Sequence, residues 1–170
     1  YKYPPLLPKD RLLEDIFIAG NDLLKAAGFV QYEVSAYSLP SEESRHNLNY
    51  WRFGDYLGIG AGAHGKISRA NQIIRTTKNR MPKEYLQNPA GKSSVVDSSD
   101  LRLEFLLNTL RLTNGFDLSL FKETTGLTPE LLDPFLEQAT QKGFLVRSIN
   151  QITPTEKGRL FLNDLLMLID

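Results

Sequence analysis

Apolar positions along the first third of the chain recur first at helical and then at strand spacing. From Lys9 onward Leu12, Leu13, Ile16, Phe17, Leu23, Leu24 and Ala27 repeat at intervals of three and four, which predicts a helix over 10–27. Gly28 follows, where helices commonly end on a left-handed residue. Phe29-Val30-Gln31-Tyr32-Glu33-Val34-Ser35 alternates and is rich in β-branched and aromatic residues, the pattern of a strand. Ahead of the helix, Tyr3-Pro4-Pro5-Leu6-Leu7-Pro8 is an extended lead-in, because three prolines fix φ and remove donors. Helix, short turn and strand in this order have the rhythm of an α/β layer.

Periodicity lapses over Ala36–Asn49, which reads as an irregular loop running into His46-Asn47-Leu48-Asn49-Tyr50-Trp51. Tyr56-Leu57-Gly58-Ile59-Gly60-Ala61-Gly62-Ala63-His64-Gly65 reads as a short strand entering a glycine-rich loop. Lys66–Arg69 and Gln72–Thr77, flanking Ala70-Asn71, form a hairpin pattern. Pro82 opens a short helix to Asn88, and the turn-rich run Asn88–Ser94 is the candidate linker, giving domains 1–92 and 93–170.

The second domain has a different rhythm. Ser99 or Asp100 caps a helix with Leu103, Leu106, Leu107 and Leu110, and Asn114-Gly115 breaks it. Asp117 caps a shorter helix ending at Gly126, and Thr128-Pro129-Glu130 opens a third that closes at Gly143. Pro134 either kinks that third helix or starts it behind an Asp133 cap. Phe144–Ile149 and Ile152–Pro154 flank Asn150-Gln151 as a small wing, and Thr155-Glu156-Lys157-Gly158 begins a last helix. Three helices, a wing and a closing helix describe a winged-helix-like module.

Composition narrows the chemistry. With 170 residues the chain can bury a core without metal or disulfides, and its lack of cysteine excludes a thiolate zinc site, a Cys nucleophile and a Cys-held iron–sulfur cluster within these residues. No apolar run is long enough to span a bilayer and no basic-then-apolar leader opens the chain, so a soluble, cytoplasmic protein is expected. The chain begins Tyr1-Lys2-Tyr3 without an initiating Met, which suggests a piece of a longer protein. Net charge is zero, but residues 1–97 carry +3 and 98–170 carry −3. Arg45, Arg52, Lys66, Arg69, Arg75, Lys78, Arg80, Lys83 and Lys92 face only Asp55 and Glu84 over their stretch, an excess that would attract an anion or form a solvated face.

Gly60-Ala61-Gly62-Ala63-His64-Gly65 has glycine at the first, third and sixth positions, but no apolar-striped helix follows, so it is not a dinucleotide turn. Glycine at such a place lets backbone approach either a ligand or another strand. The third helix of the wing module carries Glu130, Asp133 and Glu137 against Lys142, and the wing only Arg147, which argues against nucleic acid. His46, among aromatics and beside Asn47, can be a metal or haem-iron ligand, a proton donor or a hydrogen-bonded structural residue. His64 gives no ligand spacing by itself. On the first strand Gln31, Glu33 and Ser35 share one face, turned either to a barrel lumen or to covering helices.

Three runs carry a resemblance. Gln31-Tyr32-Glu33-Val34-Ser35-Ala36-Tyr37, Arg45-His46-Asn47-Leu48-Asn49-Tyr50-Trp51 and Tyr56-Leu57-Gly58-Ile59-Gly60-Ala61-Gly62-Ala63-His64 closely resemble the C-terminal half of radical S-adenosylmethionine proteins related to oxygen-independent coproporphyrinogen III oxidase. Leu110-Arg111-Leu112, Gly115-Phe116, Leu145 and Thr153-Pro154-Thr155-Glu156-Lys157-Gly158-Arg159 look like that family's C-terminal domain, so the likeness covers essentially the whole chain. His-Asn-x-x-Tyr-Trp at 46–51 is similar to its HemW-like haem-chaperone branch. The resemblance implies an α/β fold, the last strands and helices of a partial (β/α) barrel, followed by the winged-helix-like domain. It implies a 4Fe-4S cluster and S-adenosylmethionine held by residues outside these 170, with the loop of Gly58, Gly60 and Gly62 the part of this chain that could reach the cofactor; Glu33 would lie near it if its strand face turns to the lumen. It makes His46 the haem-iron ligand, Tyr50 and Trp51 flat contacts for a porphyrin, and Arg45, Asn47 and the basic stretch partners for the rest of it.

The expected function is therefore that of a haem-binding chaperone fragment that is inactive alone, the whole protein delivering haem to acceptor proteins, including ones at a membrane. Oxidative decarboxylation of coproporphyrinogen III is the enzymatic alternative, and a winged-helix module that docks a protein partner is the non-catalytic one. Cutting a barrel through its sheet would leave an open edge and favour self-association.

Overall fold

A computed structural model of the chain describes residues 5–69 and 72–169. The described chain divides into two compact units, 1–43 and 44–170. Tyr3 and Pro4 of the lead-in, and Ala70-Asn71 at the hairpin turn, lie outside the described residues.

The first unit holds helix α1 (Asp10–Ala26), ended by Gly28 at φ +82°, and the antiparallel pair β1 (Val30–Glu33) and β2 (Ala36–Ser38). The apolar stripe of α1 is as expected, yet none of its residues is buried and Leu12, Leu13, Ile16, Phe17 and Leu23 are exposed. The strand expected over 29–35 stops at Glu33. A register shift between Gln31 and Glu33 breaks the alternation, and the Gln31 Nε2 donates to the Val34 carbonyl at 3.0 Å, turning the chain back into β2. Tyr37, expected in a loop, lies on β2.

The second unit begins with helix α2 (Arg45–Trp51), followed by the sheet β3 (His64–Arg69), β4 (Gln72–Thr77) and β5 (Lys92–Val95), with α3 (Pro82–Gln87) between β4 and β5. The hairpin read over Lys66–Arg69 and Gln72–Thr77 is present, and its first strand begins two residues earlier than expected, since His64 and Gly65 pair with Thr77 and Thr76. The run 88–94 is not a free linker: Lys92–Val95 pair with Thr77–Ile74, and the Val96 amide donates to the Ile73 carbonyl, so the sheet continues past position 92. All strand pairings among the described residues are antiparallel, so parallel barrel pairing would need neighbours beyond them.

The winged module follows as α4 (Ser98–Thr109), β6 (Phe116–Asp117), α5 (Leu118–Thr125), a 3-10 turn at Pro129–Leu132, α6 (Asp133–Gln141), and the wing β7 (Leu145–Arg147) and β8 (Gln151–Pro154). Pro134 lies in the first turn of α6, where a missing N–H costs nothing. β6 was not legible in the sequence. It pairs with β8 and closes a three-stranded sheet in the order β6-β8-β7. Gly115 makes this possible: at φ +64°, its hydrogen faces the Ile152 carbonyl oxygen, which an added Cβ would approach to 1.8 Å. The expected single last helix is two, α7 (Glu156–Leu160) and α8 (Leu162–Leu166), because Phe161 leaves helical geometry at φ −112°, ψ 47°. Leu165 of α8 is fully buried in the core, while Phe161 is exposed.

Phe105 on α4 is the centre of the core. Its ring meets Phe53, Phe116 and Phe121 edge to face, at 5.8, 5.0 and 5.0 Å between centroids. Leu106, Leu110, Leu132, Leu136, Leu145, Ile152 and Leu165 fill the space around it. Among the described residues no helix is long and apolar enough to cross a membrane.

Candidate functional site

Ser44, Phe53 and Gly54 define helix α2. The Ser44 hydroxyl accepts from the Asn47 amide at 3.3 Å, satisfying one of the free donors at the helix start. The helix exits through Phe53, which sits at φ +57°, a left-handed backbone that strains a bulky side chain by roughly 1–2 kcal/mol. Burial of the Phe53 ring to 1% exposure and a hydrogen bond from Lys66 to its carbonyl offset that strain. Gly54 is pressed onto Asn49, whose Nδ2 donates to the Asp55 carbonyl at 2.9 Å. His46 therefore lies in the first turn of a capped helix and not in the irregular loop expected over 36–49.

On this helix His46 and Tyr50, four positions apart, share a face. Their rings meet edge to face at 4.7 Å, and Tyr50 in turn packs on Tyr56 at 4.2 Å. The His46 residue is exposed and Tyr50 half-buried. Trp51 belongs to a different side: the Arg111 guanidinium lies over its indole at 4.3 Å, and its Nε1 is buried with no partner. Arg45 is exposed and Asn47 half-buried. The structure thus brings together His46, Tyr50 and the unanticipated Tyr56, while Trp51 presents one ring face to Arg111.

The basic stretch is not a single face. Lys66 is 1% exposed, and its Nζ donates to the Phe53 carbonyl (2.9 Å), Asp55 Oδ1 (2.9 Å) and Ser68 Oγ (3.2 Å) while lying 4.3 Å from the Phe53 ring. Burial lowers the Lys66 pKa, more than the neighbouring Asp55 carboxylate raises it. Burial also pushes Asp55 up, but hydrogen bonds from Ser68 and Lys66 outweigh it and hold the carboxyl below its ordinary range. Arg75 donates from Nε to Glu104 at 3.0 Å, pairs with the same carboxylate through Nη2, and donates from Nη1 to the Tyr56 hydroxyl at 3.0 Å. Of the nine cations expected to face an anion, Lys66 and Arg75 are thus engaged inside the fold and the half-buried Lys78 donates from Nζ to the Ala90 carbonyl, whereas Arg45, Arg52, Arg69, Arg80, Lys83 and Lys92 remain exposed.

The glycine loop precedes β3 and does not follow a strand: Tyr56 makes one isolated bridge to Lys66, and residues 57–63 are irregular. Of the two readings of its glycines, Gly58 answers to backbone packing, since an added Cβ would stand 2.1 Å from the His64 carbonyl oxygen. Gly60 and Gly62 have positive φ, and their amides donate to the Tyr85 hydroxyl and the Asn79 carbonyl. His64 is exposed at the start of β3. Glu33, in the first unit, is 3% exposed and accepts from the Ser35 amide at 3.0 Å, so its carboxylate is engaged at the β1–β2 turn. No group of three or more His, Cys, Asp or Glu among the described residues is placed to hold a metal ion.

Asn49, Phe53, Asp55, Tyr56, Arg75 and Glu104 were missed as supports of α2. Only a fold could reveal the last two, which are 29 positions apart.

Residues 96–161 match the family described as the HemN C-terminal domain. The chain is 46% identical over 167 residues to the heme chaperone HemW of Escherichia coli, covering 97% of this chain and 44% of that protein. It is 42% identical to the heme chaperone HemW of Haemophilus influenzae, with the same coverage, and 32% identical to that of Bacillus subtilis over 83% of this chain and 38% of the relative. The chain belongs to the HemN/HemW family. It spans less than half the length of these HemW relatives. The solved structure of Escherichia coli coproporphyrinogen III oxidase (HemN), a radical SAM enzyme, superposes with a TM-score of 0.68 over 96% of this chain and 42% of that one, at 16% identity. That likeness establishes a HemN-type α/β fold. The 170 residues contain no cysteine and supply no thiolate to a cluster. In a HemN/HemW protein these residues form the part that holds His46, Tyr50 and the winged module.

Proposed function

We propose that this chain is part of a haem chaperone, and that haem is met at the His46 face of α2. The observation that carries the reading is the 46% identity, over 97% of the chain, to a protein named as a heme chaperone. An exposed imidazole offers a nitrogen to ferric iron, and the rings of Tyr50 and Tyr56 continue an apolar surface beside it. Arg45, one position before His46, supplies a cation for a propionate. Trp51 takes a supporting part, since Arg111 already covers one of its faces. The 4Fe-4S cluster and S-adenosylmethionine belong to residues outside these 170, in a protein of the cytoplasm. The likeness to the oxidase is one of fold, at 16% identity, and favours no decarboxylation by itself.

Hemin titration of the full-length protein, followed at the Soret band, tests the proposal. His46→Ala should weaken binding by roughly tenfold or more and change the spectrum. His64→Ala should do neither. An unchanged affinity and spectrum for His46→Ala would remove His46 as the ligand. Conversion of coproporphyrinogen by the reconstituted full-length protein would replace the chaperone reading with the oxidase one.

A further inference from the structure

Helix α2 has seven residues, too few to hold its geometry in water unaided. The direction of His46 and Tyr50 must therefore be set by what packs against the helix and its exit. Three contacts do so. The Phe53 ring is anchored on Phe105, Arg111 covers Trp51, and Tyr56 packs on Tyr50 while its hydroxyl is held by Arg75, itself held by Glu104. Phe105, Arg111 and Glu104 all lie within residues 96–161, the segment matching the HemN C-terminal domain.

The third contact is the directional one. The Arg75 and Glu104 side chains are 27% and 28% exposed, and the guanidinium engages the carboxylate through two nitrogens, which fixes its plane. Its remaining Nη1 then points at a single place, the Tyr56 hydroxyl. A tyrosine held at its hydroxyl cannot tilt freely, and its ring, 4.2 Å from that of Tyr50, limits the tilt of Tyr50. Tyr50 meets His46 edge to face, so the constraint passes to the imidazole.

We infer that Tyr56, Arg75 and Glu104 are positioning residues for the imidazole of His46, and that the C-terminal domain serves the haem site by orienting α2. This rests on His46 as the haem-binding residue. Ligand orientation of this kind acts on iron through the set of the imidazole plane, and losing it typically weakens a metal site by roughly 10- to 100-fold.

The test uses the full-length protein with hemin, reading affinity and the electron paramagnetic resonance of the ferric complex. Tyr56→Leu and Glu104→Gln should shift the ferric g-values and weaken binding by roughly tenfold. Tyr56→Phe, which keeps the ring but loses the hydroxyl that Arg75 holds, should shift the g-values as Glu104→Gln does, because both cut the same link. Near-ultraviolet circular dichroism gives the folded fraction of each variant. Wild-type g-values and affinity in both Tyr56→Leu and Glu104→Gln, alongside an altered His46→Ala, would overturn the positioning role. Losses that vanish once corrected for folded fraction would overturn it too. An unaltered His46→Ala would instead bring down the haem reading, and this inference with it.

Discussion

Lys66→Met isolates the polar support under the exit of α2. Methionine keeps most of the stem volume beside the Phe53 ring, so the loss is that of the ammonium. The buried Phe53 carbonyl loses its 2.9 Å donor, which costs about 1–3 kcal/mol. Asp55 loses a cation, but its side chain is 44% exposed and keeps both Ser68 donors, so this adds less than about 1 kcal/mol. Relief from burying the ammonium, the same effect that lowers the Lys66 pKa, returns part of the loss. The balance is a destabilisation of about 1–3 kcal/mol, confined to the 53–68 region and the β3–β4 pair. Hydrogen exchange of the β3 and β4 amides in the intact protein reads it directly. Protection should fall roughly 5- to 150-fold, since about 1.4 kcal/mol is one decade. Equal or greater protection in the Met variant would refute the reasoning and show that ammonium desolvation outweighs the three hydrogen bonds.

Two further outcomes are expected. Gly58→Ala sets a Cβ against the His64 carbonyl, so the loop must part from β3, and the melting temperature of the intact protein should drop by several degrees; an unchanged melting temperature would show that the loop yields freely. Asp55 has a folded-state pKa below its unfolded value, so its contribution is fully present above that unfolded value and is lost as pH falls through the folded one. The stability gap between wild type and Asp55→Asn should be constant from about pH 5 to 7 and close below about pH 4; a gap persisting undiminished to about pH 2 would contradict the assignment.

Particular residues show why some elements were legible. Helix α1 was, because its apolar residues recur at three and four and Gly28 ends it, all within one stretch of chain. The wing was legible for a similar reason: two short apolar runs flank Asn150-Gln151. Helix α2 was not, because Leu48 is its lone aliphatic residue and its length is set by a cap at Ser44 and an anchor at Phe53. β6 was illegible because two residues carry no period, and its partner lies 34 and more positions away in β8. Pro134 needed the structure to choose between a kink and a helix start, since either suits an isolated proline.

The candidate site divides in the same way. His46, Asn47 and Tyr50 could be singled out from the sequence, because an imidazole among aromatics and amides is unusual wherever it falls. Sequence also determined the absence of cluster ligands, the wing module's excess of acidic groups and the family likeness, all properties of residue identity and order. Tertiary structure alone decided which charges are free. Lys66 and Arg75 look like members of a basic run, but the pleat of β3 and β4 turns one under Phe53 and lays the other against Glu104 of α4. It likewise separated Trp51 from Tyr50 and joined Tyr56 to the His46 face. The reason is physical: a side chain's type is local, whereas its burial and its partners depend on segments tens of residues away that only the folded core brings into contact.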